Sequence, residues 1–384
     1  MDTFQSHIPF DPVITIVVFL IGVPALVFQF MPSDVRRVVF DKERKKNLIQ
    51  YLGFPLILAS LLIIVGIVTE FIFTNEHDSI HDVKWIIIII VLSIITGWIG
   101  IFVPLRFGRR EMVIKSIKKE AIKSFQKKYR LKDKPIVDLV DLGMSAEVAQ
   151  EQRLALEAIH EIMRHVVNHS TYNGDSLETP ILKLIEIVTL NSDVRSVSNL
   201  KLVAEILQNV VLEKKQVEYT TDLQNAIKVV SILGEVALTQ FEQSLEVDNV
   251  ILSCVQTLDL IASGYPPLIT NVSQALFEIG SLAIKYQREF VGIAALNKII
   301  NLLNSTSDPE SELVADTIGL IAHFWMVKGS QREFSKQYLM DIKKYFGKSL
   351  RNAIKNSYQH WVSETQFQTA DLIAQMAKSV RIKV

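Results

Sequence analysis

The chain has 384 residues, 49% of them hydrophobic, and a mean hydropathy of +0.27. Its 41 Lys and Arg equal its 41 Asp and Glu, a balance unlike the strongly basic surface of a nucleic-acid-binding protein, so no nucleic-acid partner is expected. One cysteine, Cys254, excludes an intramolecular disulfide framework and fits a reducing compartment.

The charge is unevenly placed. Up to Lys134 there are 19 basic and 12 acidic residues; beyond it there are 22 basic and 29 acidic. The basic part is also where the apolar residues run together. Val13 to Met31 is broken only by Thr15 and Gln29 among polar side chains, Leu52 to Phe73 by Ser60, Thr69 and Glu70, and Trp85 to Leu105 by Ser93 and Thr96. About 20 apolar residues at a helical rise of about 1.5 Å cross a hydrocarbon core of about 30 Å. A soluble core helix of that length would carry a polar stripe, and these runs have none. The sequence therefore predicts three transmembrane helices, over about 13–31, 52–73 and 85–105.

The loops set the orientation. The first carries Arg36, Arg37, Lys42, Arg44, Lys45 and Lys46, whereas the second, from Asn75 to Asp82, is acidic and holds His77 and His81. Basic residues near span ends stay on the cytoplasmic side. This predicts a multi-pass protein of the plasma (inner) membrane, with its N-terminus outside and the C-terminal domain in the cytoplasm. No basic residue precedes the first run, so it does not read as a cleavable signal. No span carries a central charge of the kind that marks a transport path. In an oligomer, however, Ser93 and Thr96 could face a pore.

From Arg106 to Lys134 come twelve basic residues against three acidic ones. Ile114, Ile117, Ala121 and Phe125 recur at three- and four-residue steps, which predicts a basic juxtamembrane amphipathic helix over 106–134. Arg109, Arg110, Lys115, Lys118, Lys119 and Lys123 are its candidate contacts with anionic lipid headgroups, at about 1 kcal/mol per charge near a membrane surface.

Beyond Pro135 the pattern is all-α, with amphipathic segments separated by polar turns such as Asn191-Ser192-Asp193 and Ser263-Gly264-Tyr265-Pro266-Pro267. Ser145 stands where a helix N-cap is expected, and roughly ten helices of ordinary length fit the remainder. A short motif repeats within it: Leu233-Gly234-Glu235-Val236-Ala237, Ile279-Gly280-Ser281-Leu282-Ala283 and Ile318-Gly319-Leu320-Ile321-Ala322. A glycine inside a helix costs about 1 kcal/mol against alanine, so Gly234, Gly280 and Gly319 are expected where a neighbouring helix comes close. All-helical content with a period near 40–47 residues resembles the HEAT/armadillo class of α-solenoid, with an irregular helical bundle as the other arrangement. The resemblance implies an extended binding surface for a cytoplasmic protein partner.

Chemical motifs are sparse. His160-Glu161 followed by His165 is not the zinc-protease pattern, since the second histidine lies five residues on and diverges around the helix. His165 and His169 share a helical face but lack a third ligand. His77 and His81 are weak candidates for a divalent cation or for sensing pH. There is no phosphate loop, nucleophile elbow or Cys/His ligand set, so neither catalysis nor a cofactor is expected. Two functions compete on this basis. One is a membrane scaffold that recruits partners through the repeat domain. The other is a homo-oligomeric channel or membrane effector gated by it.

Overall fold

The computed structural model describes residues 109–382 apart from 129–130, 169–176, 190–195, 214–219, 242–243, 308, 328–335, 338–339, 341–342, 344–348 and 380; it also describes residues 31–40 and positions 18, 22, 26, 28–30, 57 and 61. The regular structure is helical, with no strand among the described residues. The chain divides into two compact units, Met1–Lys119 and Glu120–Val384. The three predicted spans, with Ser93 and Thr96, fall almost wholly outside the described residues, as do His77 and His81. Among the described residues no helix is long and apolar enough to cross a membrane.

In the first unit a short helix, α1 (Ser33–Val39), buries Val35, Val38 and Val39. The Arg36 guanidinium lies 5.1 Å from the centre of the Phe28 ring, which also meets Phe40 at 5.3 Å. Helix α2 (Arg110–Lys128) starts in this unit and ends in the second. It corrects the predicted 106–134 helix, because Leu131 and Lys132 are not helical and a new helix begins at Asp133. Along α2 the apolar stripe of Ile114, Ile117, Ala121 and Phe125 is buried by protein, and Val113 joins it. That leaves only the polar face for other contacts.

The second unit continues with α3 (Asp133–Met144), α4 (Ala149–Val167), α5 (Glu178–Thr189) and α6 (Val197–Glu213). Then follow α7 (Thr220–Gln240), α8 (Leu245–Gly264), α9 (Ile269–Lys285) and α10 (Glu289–Ser305). The last are α11 (Ser311–Met326), α12 (Leu350–Ser363) and α13 (Phe367–Ser379). Each buries residues at helical spacing; in α4 these include Leu156, Ile159, Ile162, Met163 and Val166. Ser145 does not cap α4. Its hydroxyl donates to the Asp141 carbonyl at 2.6 Å at the end of α3, and Val148 occupies the N-cap of α4 without a side-chain bond. Ser145 closes α3 instead, because α4 starts three residues later than a Ser145 cap requires.

Contacts between helices follow a regular order. Helices α3, α5, α7, α9 and α11 touch in succession and form one row. Helices α4, α6, α8 and α10 touch in succession and form a second. Each odd helix also packs on the even helix that follows it, from α3–α4 to α9–α10. Helices α12 and α13 pack on α11 and on each other.

The motif glycines sit at crossings within the odd row. A methyl group at Gly234 would lie 2.9 Å from Ile279, and one at Gly280 would lie 2.8 Å from Leu320 and 3.2 Å from Ala295. At Gly319 it would meet Phe277 and Trp361 at 3.0 Å. Gly143 on α3 behaves alike, with Ile187 of α5 at 3.0 Å. Gly143 meets Ile187 as Gly234 meets Ile279, so Val188 holds in α5 the place that Gly280 holds in α9. Glycines thus stand at close crossings in α3, α7, α9 and α11, and a valine, Val188, stands in α5.

Candidate functional site

Polar side chains join neighbours within each row, at sequence separations that match the period. In the even row the joints between α8 and α10 are ionic. Arg288 at the start of α10 pairs with Asp248 of α8, and Lys298 of α10 donates to Asp259 of α8 at 2.5 Å. Further along that row, Asn199 of α6 donates to Gln152 of α4 at 2.6 Å, and Gln152 donates to the Ile187 carbonyl at 2.6 Å.

The odd row uses hydroxyl donors instead. Ser231 of α7 donates to Glu278 of α9 at 2.7 Å, Ser273 of α9 donates to Asp316 of α11 at 2.5 Å, and Thr270 donates to Glu310. A hydroxyl satisfies a carboxylate lone pair but leaves its charge in place. Among the described residues no Lys or Arg forms an ion pair with Glu235, Glu278, Glu312, Asp316 or Glu364.

These five carboxylates line one groove of about 800 Å³ on α7, α9, α11 and the α12–α13 junction. Lys285 is the sole Lys or Arg among its described lining residues. Phe277 and Trp361 stack beneath it with ring centres 4.5 Å apart, and the Trp361 indole N–H donates to the Ala315 carbonyl at 3.0 Å. Glu235, Glu278, Glu312 and Glu364 are exposed, whereas Asp316 is 3% exposed. Burial pushes the Asp316 carboxyl up to about 7; the Ser273 hydrogen bond opposes this, and the nearby charges of Glu278 and Glu312 add to it. Burial lowers His323 to about 4, so the ring is neutral near pH 7; it faces Phe277 edge-on at 5.8 Å and the Thr369 hydroxyl at 3.2 Å.

The residues singled out by sequence fall in different places. Arg110, expected to face lipid, is 6% exposed and bonded at 2.9 Å to Asp34 of α1, which corrects that assignment. A buried guanidinium needs a carboxylate partner, and Asp34 supplies it. Arg109, Lys115, Lys119 and Lys123 are exposed and Lys118 is half-buried. Lys115 is bonded to Glu111 at 2.5 Å and holds that carboxyl below the usual range. His165 lies edge-on to Phe125 and within 3.2 Å of Gln126, a packing position. No group of three His, Cys, Asp or Glu side chains among the described residues is placed to hold a metal ion. Cys254 is wholly buried on α8 and its thiol is pushed up to about 12, which removes it as a nucleophile.

Sequence reasoning missed the groove. Its signal was present: Asp316 is the single charged residue between Leu313 and Ala322, in a helix otherwise read as core. No protein-family model matches the chain, and neither the curated proteins nor the solved structures compared with it contain a match.

Proposed function

We propose that the chain is a membrane-anchored scaffold whose helical-repeat domain, built as a HEAT/armadillo-like α-solenoid, binds a protein partner through the groove of the odd row. The observation that carries this reading is the groove itself: about 800 Å³, floored by aromatic side chains and ringed by carboxylates that no described cation neutralises. A groove of that size with few convergent polar groups is a common form of binding site. The two-row order of contacts supports the solenoid reading, because stacked helix pairs generate an extended surface along one row. Membrane attachment rests on the three apolar runs and on the loop charges, with the N-terminus outside and the repeat domain at the cytoplasmic face. Lys119 and Lys123, exposed on a helix whose apolar side is already covered, favour headgroup attraction over insertion of α2.

Site-directed photo-crosslinking in intact membranes tests the scaffold reading. A crosslinking residue at Gln274, in the groove, is expected to give discrete protein adducts; one at Gln256, exposed on α8 of the even row, is expected to give few. Adducts of equal yield at both positions would reject the groove as the binding face. Cysteine labelling tests the anchor. Ser79→Cys should react from outside the cell and Ser170→Cys should be protected, and the reverse pattern would overturn the orientation.

A further inference from the structure

We infer that the groove takes an extended segment of a partner protein carrying Lys or Arg at every third residue. This rests on the scaffold reading and goes on to name the chemistry of the partner.

Charge comes first. Glu235 lies on α7, Glu278 on α9, Glu312 and Asp316 on α11, and Glu364 caps the end of α12. The last three helices of the odd row, α7, α9 and α11, therefore each bring at least one carboxylate to the same groove. The hydrogen-bond partners of Glu278 are the Ser231 hydroxyl and the Gln274 amide, both neutral. The even row, by contrast, spends its acidic residues Asp248 and Asp259 on Arg288 and Lys298. The groove thus gathers five carboxylates against one lysine, and a cationic partner is the complement that such a lining selects.

Spacing comes second. Packed helices stand about 8–10 Å apart, so the carboxylates recur at about that interval along the row. A polyproline II segment advances about 3.1 Å per residue with three residues per turn, which returns every third side chain to one face after about 9 Å. A fully extended strand repeats its faces every two residues, about 6.6 Å, and an α-helix brings residues i and i+4 to one face after about 6 Å. Of these nearest returns, the threefold period lies closest to the helix interval. The glycines contribute to this register. Because Gly234 and Gly280 admit Ile279 and Leu320 to within van der Waals contact, neighbouring helices of the odd row approach closely, and the carboxylate interval stays within reach of one turn of the peptide. Lys285, at the end of α9 over the Tyr286 ring, makes a position beside it unfavourable for a second cation and so helps fix the register.

Fluorescence anisotropy on the full chain, held in nanodiscs of neutral phosphatidylcholine, tests this directly. The probes are a labelled peptide of repeated Lys-Pro-Pro, a peptide of the same composition with its lysines contiguous, and a repeated Glu-Pro-Pro peptide. The periodic lysine peptide is expected to bind tightest and to weaken with salt. Glu278→Lys and Glu235→Lys should each weaken it about fivefold or more, an attraction turned to repulsion at a solvated site. Glu246→Lys, exposed on the even-row helix α8, should leave it unchanged. Equal affinity for the periodic and contiguous lysine peptides would overturn the register, and so would insensitivity to the two groove substitutions. Absence of binding by any lysine peptide would overturn the cationic partner. Either result, found together with adducts at Gln274, would leave the scaffold reading standing and remove only this inference.

Discussion

The two rows of the repeat domain join their helices by different means, and the difference has consequences for both stability and surface. Between α8 and α10 the carboxylates of Asp248 and Asp259 meet Arg288 and Lys298, so charge is cancelled where it is placed. Between α7, α9 and α11 the carboxyls of Glu278 and Asp316 meet the hydroxyls of Ser231 and Ser273, so geometry is satisfied with no cation at the joint. The even row is held at the expense of surface character, and the odd row carries a field at the expense of some stability. The odd row also contains the motif glycines, where close packing accompanies the hydroxyl joints; in the even row Gly292 of α10 is approached as closely by Phe324.

Three sets of substitutions test that contrast. Asp248→Ala should cost about 2–3 kcal/mol, because it leaves the Arg288 side chain, 3% exposed, buried with a partner removed. The matching change in the odd row, Glu278→Ala, should cost less than about 0.5 kcal/mol, since its side chain is exposed and water replaces the hydroxyl. Chemical denaturation of the full chain in detergent measures both; equal costs would erase the distinction between the rows.

Next comes packing. Gly280→Leu should lower stability by about 2 kcal/mol through overpacking, since even its Cβ would lie 2.8 Å from Leu320 and 3.2 Å from Ala295. The helix-propensity gain of about 1 kcal/mol for Gly280→Ala should be offset by the same contacts. A melting temperature at or above that of the parent for the leucine variant would show that the crossing has room to spare.

The last effect depends on pH. The carboxyl of Asp316 sits at about 7 in the folded chain against 3.8 for an unperturbed one, so between those values the folded state holds the extra proton. Its contribution is therefore fully present below about pH 4 and is lost as pH rises through 7. The ceiling on this loss is about 4 kcal/mol. Asp316→Asn gives up the charge-assisted bond from Ser273, so a net gain of about 1 kcal/mol is expected at pH 8, with variant and parent converging below pH 4. His323, two turns further along α11, has the opposite sign: its contribution is present above 6.5 and is lost as pH falls toward 4. His323→Gln should flatten that acid limb. Thermal melts from pH 4 to 8 measure both, and a parallel offset of the Asp316→Asn variant at every pH would show that the carboxyl does not titrate in this range.

Much of the helical domain was legible. Apolar residues at three- and four-residue steps marked the stripe of α2, and the punctuation at Gly264-Tyr265-Pro266 fell where α8 ends and a 3₁₀ turn begins. The motif glycines stood out because a glycine inside an apolar helical run is costly unless something approaches it. Gly143 was overlooked although Leu142-Gly143-Met144-Ser145-Ala146 carries the same spacing, because Ser145 read as a helix boundary and the glycine sits at the end of α3 instead of inside a long apolar run. Arg110 was misplaced for a different reason. A string of basic residues reads alike whether each is solvated or paired, and Asp34 is 76 residues away in sequence.

By itself the sequence determined the helical class, the period of the repeat, the three apolar runs and the division between a basic part and an acidic one, because each of these depends on residue type at local spacing. Only the tertiary structure decided which carboxylates share a face and which donors they meet. Glu235, Glu278, Glu312 and Glu364 look in sequence like the acidic residues of any solvated helix, and so do Asp248 and Asp259. Stacking places the first group on one groove beside hydroxyls and the second beside guanidinium and ammonium groups. A charge acquires its effect from what lies within a few ångströms of it, and those neighbours come from helices some forty residues apart, beyond the reach of any local pattern.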